Sequence, residues 1–323
     1  MHKVIIDTDP GIDDAQAIAF AVAHPEIDLL GLTTVYGNAD IDITTNNACA
    51  VLELLGAKTT TVARGAEHPL SIDRFPAPDF VHGADAMGNV ILKAKSDNLS
   101  ALSAAEYLVS AADKCPGEIT VIAIGPLTNL ALALKIDPKL PEKLKQLIVM
   151  GGTVSAQGNV SPVAEANFIN DPHAADFVCQ QHWPLSIIGL DVTMKIALTD
   201  DHFKTLQEHA GSVGEFLWQS SRFYVDFYSS LENAISDQRA CAMHDASAVV
   251  YLVRPDLFEC ITGAARVATS GIAMGQLVAS QGSESYLLSH WQDLPKSNMA
   301  MKVDSQAVLE CFVQTLIAHY RNS

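Results

Sequence analysis

Positive charge is scarce in this chain: 20 Lys and Arg stand against 37 Asp and Glu, a formal charge of −17 over 323 residues. Nucleic acid or an anionic membrane surface would be repelled, so both are set aside as partners. A metal ion, or a small neutral or cationic ligand, suits the balance better. Charged residues of both signs make up only 18% while 49% are hydrophobic, which excludes a disordered chain. No apolar run reaches bilayer-crossing length. The six cysteines (Cys49, Cys115, Cys179, Cys241, Cys260, Cys311) have no C-x-x-C spacing. They argue against a zinc site or a disulfide framework and lead us to expect reduced thiols buried in the fold. Internal repeats, low-complexity tracts and linkers are all missing, so a single domain over 1–323 is expected. The first strand starts at once, leaving no room for a signal peptide, and the expected location is the cytoplasm.

What is present concentrates near the start, in Lys3-Val-Ile-Ile-Asp-Thr-Asp-Pro-Gly-Ile-Asp-Asp-Ala15. Val4, Ile5 and Ile6 read as a buried strand. It runs into Asp7, Asp9, Asp13 and Asp14, with Pro10-Gly11 forcing a turn between the pairs, and a helix is expected over Ala15–Ala23. Strand, turn and helix in that order put the acids at a strand's carboxyl end, where open α/β sheets hold ligands. Carboxylates so crowded raise one another's pKa unless a cation sits among them. A helix cap and a first-turn charge account for one or two acids, not for two pairs flanking a turn.

Further along, strands are expected over 28–36, 60–63, 118–124, 146–150 and 185–190, separated by helices over 44–55, 101–113, 129–134 and from Asp171-Pro172 onward. That alternation predicts an α/β fold: a mostly parallel, open twisted sheet flanked by helices, Rossmann-like, with its active site at the carboxyl ends of the strands. Residues 65–100 form a long excursion holding His82, and long loops are usually functional. From 200 to 250 the chain reads as helical, with an aromatic stripe (Trp218, Phe223, Tyr224, Phe227, Tyr228) that suits a core. A last helix is expected over Ser305–Tyr320. Asn38, the Ile124 carbonyl, and Asn159, Glu165 and Asn167 all fall at the same edge as the acids, and Asp245 adds a fifth.

Asp7-Thr-Asp-Pro-Gly-Ile-Asp-Asp14, Tyr36-Gly-Asn38, Gly125-Pro-Leu-Thr-Asn129, Met150-Gly-Gly152, Glu165-Ala-Asn167 and Met243-His-Asp-Ala246 together resemble the signatures of the inosine–uridine-preferring nucleoside hydrolases. The resemblance runs in order over about three quarters of the chain. It implies calcium-dependent hydrolysis of the N-glycosidic bond of ribonucleosides in nucleoside salvage, and a homotetramer or homodimer. It implies one Ca²⁺ held by Asp9, Asp14, Asp245 and the Ile124 carbonyl, and ribose bound by Asp13, Asn38, Asn159, Glu165 and Asn167. His82 and His244 match base-side histidines. Ala166 departs from an often aromatic position.

The chemistry agrees with what the resemblance implies. Calcium takes hard oxygen ligands, which carboxylates, a carbonyl and a sugar diol supply. Asp9 is the expected general base toward water, and His244, with an ordinary pKa of about 6.5, the expected acid toward the departing base. A water attacking C1′ without an enzyme nucleophile implies inversion. Three other readings were weighed. A haloacid-dehalogenase-like phosphatase wants Thr or Val where Gly11 stands, and an EF-hand wants an acid or amide there. A calcium-dependent, non-catalytic nucleoside-binding protein is the third. Tyr224, Tyr228 and Arg239 are expected either to close over the base or to serve packing and surface charge.

Overall fold

Runs of β-branched residues alternating with helices build an open sheet, and the strand order decides which loops meet. The computed structural model describes residues 1–90, 92, 94, 98–231, 235–280 and 286–321. Five positions of the 65–100 excursion and three of the 200–250 stretch therefore lie outside the described residues. The first six strands are β1 (His2–Thr8), β2 (Ile27–Thr34), β3 (Thr61–Arg64), β4 (Ile119–Ala123), β5 (Gln146–Met150) and β6 (Leu185–Ile188). After them come β7 (Ala197–Thr199), β8 (Ala240–Ala242), β9 (Phe258–Gly263), β10 (Ala265–Val267), β11 (Leu277–Ala279) and β12 (Ser297–Val303). The main sheet has the order β3-β2-β1-β4-β5-β6-β12-β9. All its neighbours are parallel except β12 and β9, and β7–β8 and β10–β11 form separate antiparallel pairs.

β1 is buried on both faces because helices cover both. Val4 and Ile6 join one apolar cluster and Ile5 the other, as alternate side chains of a strand must. The helix Ile12–Ala23 lays its apolar side on the helix Ser305–Tyr320. There Phe20 stacks on Phe312 at 5.9 Å and the Tyr320 hydroxyl donates to the Ala19 carbonyl at 3.2 Å. Each of those rings contributes roughly 2–3 kcal/mol by leaving water.

The expected elements are present, with local differences. The first helix begins at Ile12, not Ala15, and Gly11 is its N-cap, so Asp13 and Asp14 both lie in the first turn. The strand expected to reach Leu190 stops at Ile188, and Leu190–Thr193 is a helical turn. The stretch expected to be helical from 200 to 250 is interrupted by the short strand β8, after which Asp245 opens the helix Asp245–Val253. All six cysteines are free thiols, but only Cys49, Cys179 and Cys241 are buried. Cys260 is exposed because it lies on β9, the sheet's edge. Among the described residues no helix is long and apolar enough to cross a membrane.

Candidate active site

The sheet order reverses direction between β1 and β4, and an open α/β sheet leaves a crevice at such a switch point. β1 delivers Asp7 and Asp9 to it, and β4 ends beside them, with the Ile124 N–H donating to the Asp7 carbonyl at 2.8 Å. Gly11 allows the turn to close. A Cβ there would lie 2.7 Å from the Asn38 Nδ2 and 2.9 Å from the His82 Nδ1.

Five carboxylates collect at this point and all are buried: Asp7, Asp9, Asp13, Asp14 and Asp245. Asp14 is held rigidly by Thr8 Oγ1 (2.5 Å), Gly11 N–H (2.9 Å) and Asn38 Nδ2 (3.1 Å). Asp9 accepts the Asn38 N–H through Oδ2 (2.8 Å), and its Oδ1 has no partner. Asp13 accepts the Tyr224 hydroxyl through Oδ2 (3.0 Å), and again Oδ1 has none. Asp7 stands behind, taking Thr33 Oγ1 (2.5 Å) and Asn129 Nδ2 (2.8 Å). Burial raises the pKa of Asp9, Asp13, Asp14 and Asp245, and neighbouring carboxylates raise Asp9, Asp14 and Asp245 further.

Asp13, Asp14 and Asp245 bring carboxylate oxygens within 4.8 Å of one another, a set that could hold a metal ion. Asp13, expected on the ribose, belongs to this group, and Asp9, expected as a ligand, adjoins it: the charge of Asp14 raises the pKa of Asp9, and that of Asp9 raises the pKa of Asp245. The donor set fits a hard cation: buried carboxylates, three unpartnered carboxylate oxygens (Asp7 Oδ2, Asp9 Oδ1 and Asp13 Oδ1) and, among the described residues, no Lys or Arg lining the cavity. Ile124 lines the same cavity, and its carbonyl accepts the Asn167 amide at 3.0 Å.

The cavity in front of the acids has a volume of about 550 Å³. Asp13, Asn38, His82, Ile124, Asn159, Glu165, Asn167, His244 and Asp245 all line it, and Asp9 and Asp14 lie behind that lining. Glu165 caps the short helix Ala166–Asn170, accepting N–H groups from Asn167 (2.8 Å), Phe168 (3.1 Å) and Gly152 (2.8 Å). Burial still pushes its carboxyl up to about 7. Asn159 accepts the Ala166 N–H at 3.0 Å, so the small residue at 166 is tied to the loop that walls the cavity.

Aromatic side chains line the same cavity. Tyr224 and Tyr228 lie on the helix Gly211–Ser229, both buried. The Tyr228 hydroxyl is 2.6 Å from His244 Nε2, and Thr193 Oγ1 is 2.7 Å from His244 Nδ1. Both ring nitrogens of His244 are thus engaged, and burial lowers its pKa to about 3. His82 accepts the Ile12 N–H through Nδ1 (3.4 Å) and packs on Tyr224 at 5.1 Å; burial lowers it to about 4. Phe80, Phe227 and Leu231 add an apolar rim. Arg239 is outside the site, exposed and paired with Asp200 and Asp226.

Neither Thr193 nor the role of Asn129 is marked by a local sequence pattern. Asn129 holds Asp7 and also accepts the Ala66 N–H at 2.9 Å, anchoring the start of the long excursion. The i, i+4 spacing of Tyr224 and Tyr228 was the available signal for a two-tyrosine face.

The family model described as inosine-uridine preferring nucleoside hydrolase matches residues 4–310. The chain belongs to that family. Uridine nucleosidase 1 of Arabidopsis thaliana is 38% identical over 310 residues, 96% of this chain and 91% of that one. The inosine-uridine preferring nucleoside hydrolase of Crithidia fasciculata is 33% identical over 259 residues, 79% of this chain and 80% of that one. Among solved structures, a plant nucleoside hydrolase superposes with a TM-score of 0.93 at 36% identity, covering 98% of this chain and 99% of that one. This nucleoside hydrolase is accordingly an enzyme acting on N-glycosyl bonds, and the phosphatase, EF-hand and non-catalytic readings fall away.

Proposed function

We propose that this nucleoside hydrolase uses calcium to cleave ribonucleosides to free base and ribose, with uridine and inosine as the first substrates to try. The observation that carries the reading is the nest of buried acids with unpartnered oxygens beside a cavity that is also lined by aromatic side chains. Asp9, Asp14, Asp245 and the Ile124 carbonyl would hold the ion, with Asp13 close by. When bound, calcium would supply Lewis acidity toward water and oxygen sites for the 2′- and 3′-hydroxyls.

Asp9 takes the proton of the attacking water through its free Oδ1. Asp13, Asn38, Asn159, Glu165 and Asn167 bind the ribose, and the carboxylates favour the positive charge that grows on the sugar as the bond to C1′ breaks. No side chain serves as nucleophile, so the configuration at C1′ inverts. His244 has no nitrogen free for the base, so its proton travels through Tyr228: Nε2–H passes to the tyrosine oxygen as the tyrosine O–H passes to the departing base. Burial keeps His244 neutral at rest, with its one proton on Nδ1 toward Thr193 and the Tyr228 hydroxyl donating to Nε2. A solvent acid such as hydronium protonates Nε2 within the turnover, and Asp9 returns the proton of the attacking water to solvent, so one proton enters as one leaves. His82, donating from Nε2, faces the base from the other side.

The proposal includes one domain over 1–323, a cytoplasmic salvage role and a homodimer or homotetramer. Light scattering tests the assembly, and the exposed Ile272, Leu287 and Leu288 are where its seam would be sought. The deciding experiment is incubation with inosine, uridine, cytidine and adenosine while released ribose is assayed. No ribose from any of them overturns the reading. His244→Ala should lose much activity on natural nucleosides and little on 4-nitrophenyl riboside, whose leaving group needs no proton.

A further inference from the structure

The turn Leu190–Thr193 follows β6 at the carboxyl edge of the sheet and touches the site from behind at both of its ends. At one end Asp191, only 3% exposed, accepts N–H groups from Val154 (2.7 Å), Ser155 (2.8 Å) and Ala156 (2.9 Å). It also accepts the hydroxyls of Ser155 (2.9 Å) and Thr153 (3.3 Å). A carboxylate so enclosed locks the segment it binds. That segment leads straight into Gln157–Val160, one wall of the cavity. At the other end Thr193, fully buried, meets His244 Nδ1.

We propose that Leu190–Thr193 is a positioning element with two tasks: Thr193 commits His244 Nε2 to Tyr228, and Asp191 sets the Gln157–Val160 wall against the ribose. With Thr193 Oγ1 accepting Nδ1–H, the ring cannot flip and only Nε2 exchanges a proton with Tyr228. A partner that fixes one imidazole nitrogen decides what the other can do. Asp191 touches no substrate; its rigid hold on residues 153–156 fixes where Asn159 stands. The inference for Thr193 rests on the reading of His244 as the source of the leaving-group proton.

The test compares wild type, Thr193→Val, Thr193→Ala, Thr193→Ser, Asp191→Asn, His244→Ala and the Thr193→Val/His244→Ala double variant on uridine, inosine and 4-nitrophenyl riboside. Thr193→Val should lower kcat on the natural nucleosides by on the order of 10- to 100-fold at nearly constant KM, with little loss on the aryl riboside. Thr193→Ser should restore most of that loss, and the double variant should be no worse than His244→Ala alone. Asp191→Asn should raise KM several-fold on every substrate without changing the ratio between leaving groups. If Thr193→Val does not fold, Thr193→Ala removes the same hydroxyl and is read the same way. Equal losses on all substrates for the hydroxyl-free variants, or losses that add to that of His244→Ala, overturn the Thr193 assignment. A changed leaving-group ratio or an unchanged KM in Asp191→Asn overturns the Asp191 assignment. Equal losses in His244→Ala alone remove the histidine's acid role, and the Thr193 assignment with it.

Discussion

Calcium added to metal-free protein should raise its melting temperature, and the rise should depend steeply on pH. Two unit charges 4.8 Å apart, the reach within the Asp13, Asp14 and Asp245 group, repel by about 3 kcal/mol at an effective dielectric constant of about 20. Without a cation these acids release their protons only at higher pH than usual, as their raised pKa values express. Asp7 behind them sets a readable window: burial lifts it from 3.8 to about 7. An acid whose folded pKa is raised adds stability below its unfolded value and loses that contribution as pH climbs to the folded one. The metal-free protein therefore weakens between about pH 4 and pH 7 from this group alone. Calcium binding must expel the protons, so its affinity grows over the same range. At calcium a hundredfold above Kd the gain is about 2.7 kcal/mol. Unfolding entropy for 323 residues is about 0.7 kcal/mol per degree, giving a rise of about 4 °C. At pH 5 and the same calcium the rise should shrink to about 2 °C if one proton is displaced and below about 1 °C if two are, since Asp13 and Asp14 sit at about 6 and each displaced proton costs about tenfold in affinity per pH unit below that. Differential scanning fluorimetry at pH 5 and pH 7.5, with chelator and with calcium, reads both. Equal shifts at the two pH values, or none at saturating calcium, would refute the reasoning.

Asp9→Ala should cut kcat on inosine and uridine by at least about 10²-fold while the protein stays folded, as loss of a general base does; ribose release and circular dichroism check it. Gly37→Ala should have nearly the same effect, because its Cβ would lie 2.0 Å from Asp9 Oδ2 and must push that carboxylate away; the same assay decides. Asp176→Ala should destabilise by about 3 kcal/mol without touching kcat, since Asp176 takes Arg266 Nε (2.7 Å) and Nη2 (2.9 Å) and the Val267 N–H (2.9 Å), tying β10 to the helix Pro172–Cys179. Urea denaturation measures it.

Much of this enzyme was legible because its signals are local. Val4–Ile6 followed by two acid pairs around Pro10-Gly11, Asp171-Pro172 opening a helix, and the period of Ser305–Tyr320 each depend on residues a few positions apart. Asp171 does cap its helix, accepting the Ala174 N–H at 3.0 Å. The strand alternation likewise implied a parallel sheet with its ligand site at the carboxyl ends. Elements that leaned on single-residue rules were less secure. The first helix starts three residues early because Asp14 accepts the Gly11 N–H, and the strand expected through Leu190 gives way to the turn after Gly189.

By itself, the order of residues determined the family, the parallel architecture and the acids that gather at one edge, since periodicity and motif spacing are properties of neighbouring positions. Only the tertiary structure decided which of those side chains meet. Tyr224 meets Asp13 across 211 positions, Tyr228 and Thr193 take the two nitrogens of His244, and Asp13 and Asp14 of the first helix come together with the distant Asp245. Such pairings arise when strands reorder at the switch between β1 and β4 and helices pack across it. Which polar groups share a buried space depends on that packing, and no local pattern encodes it.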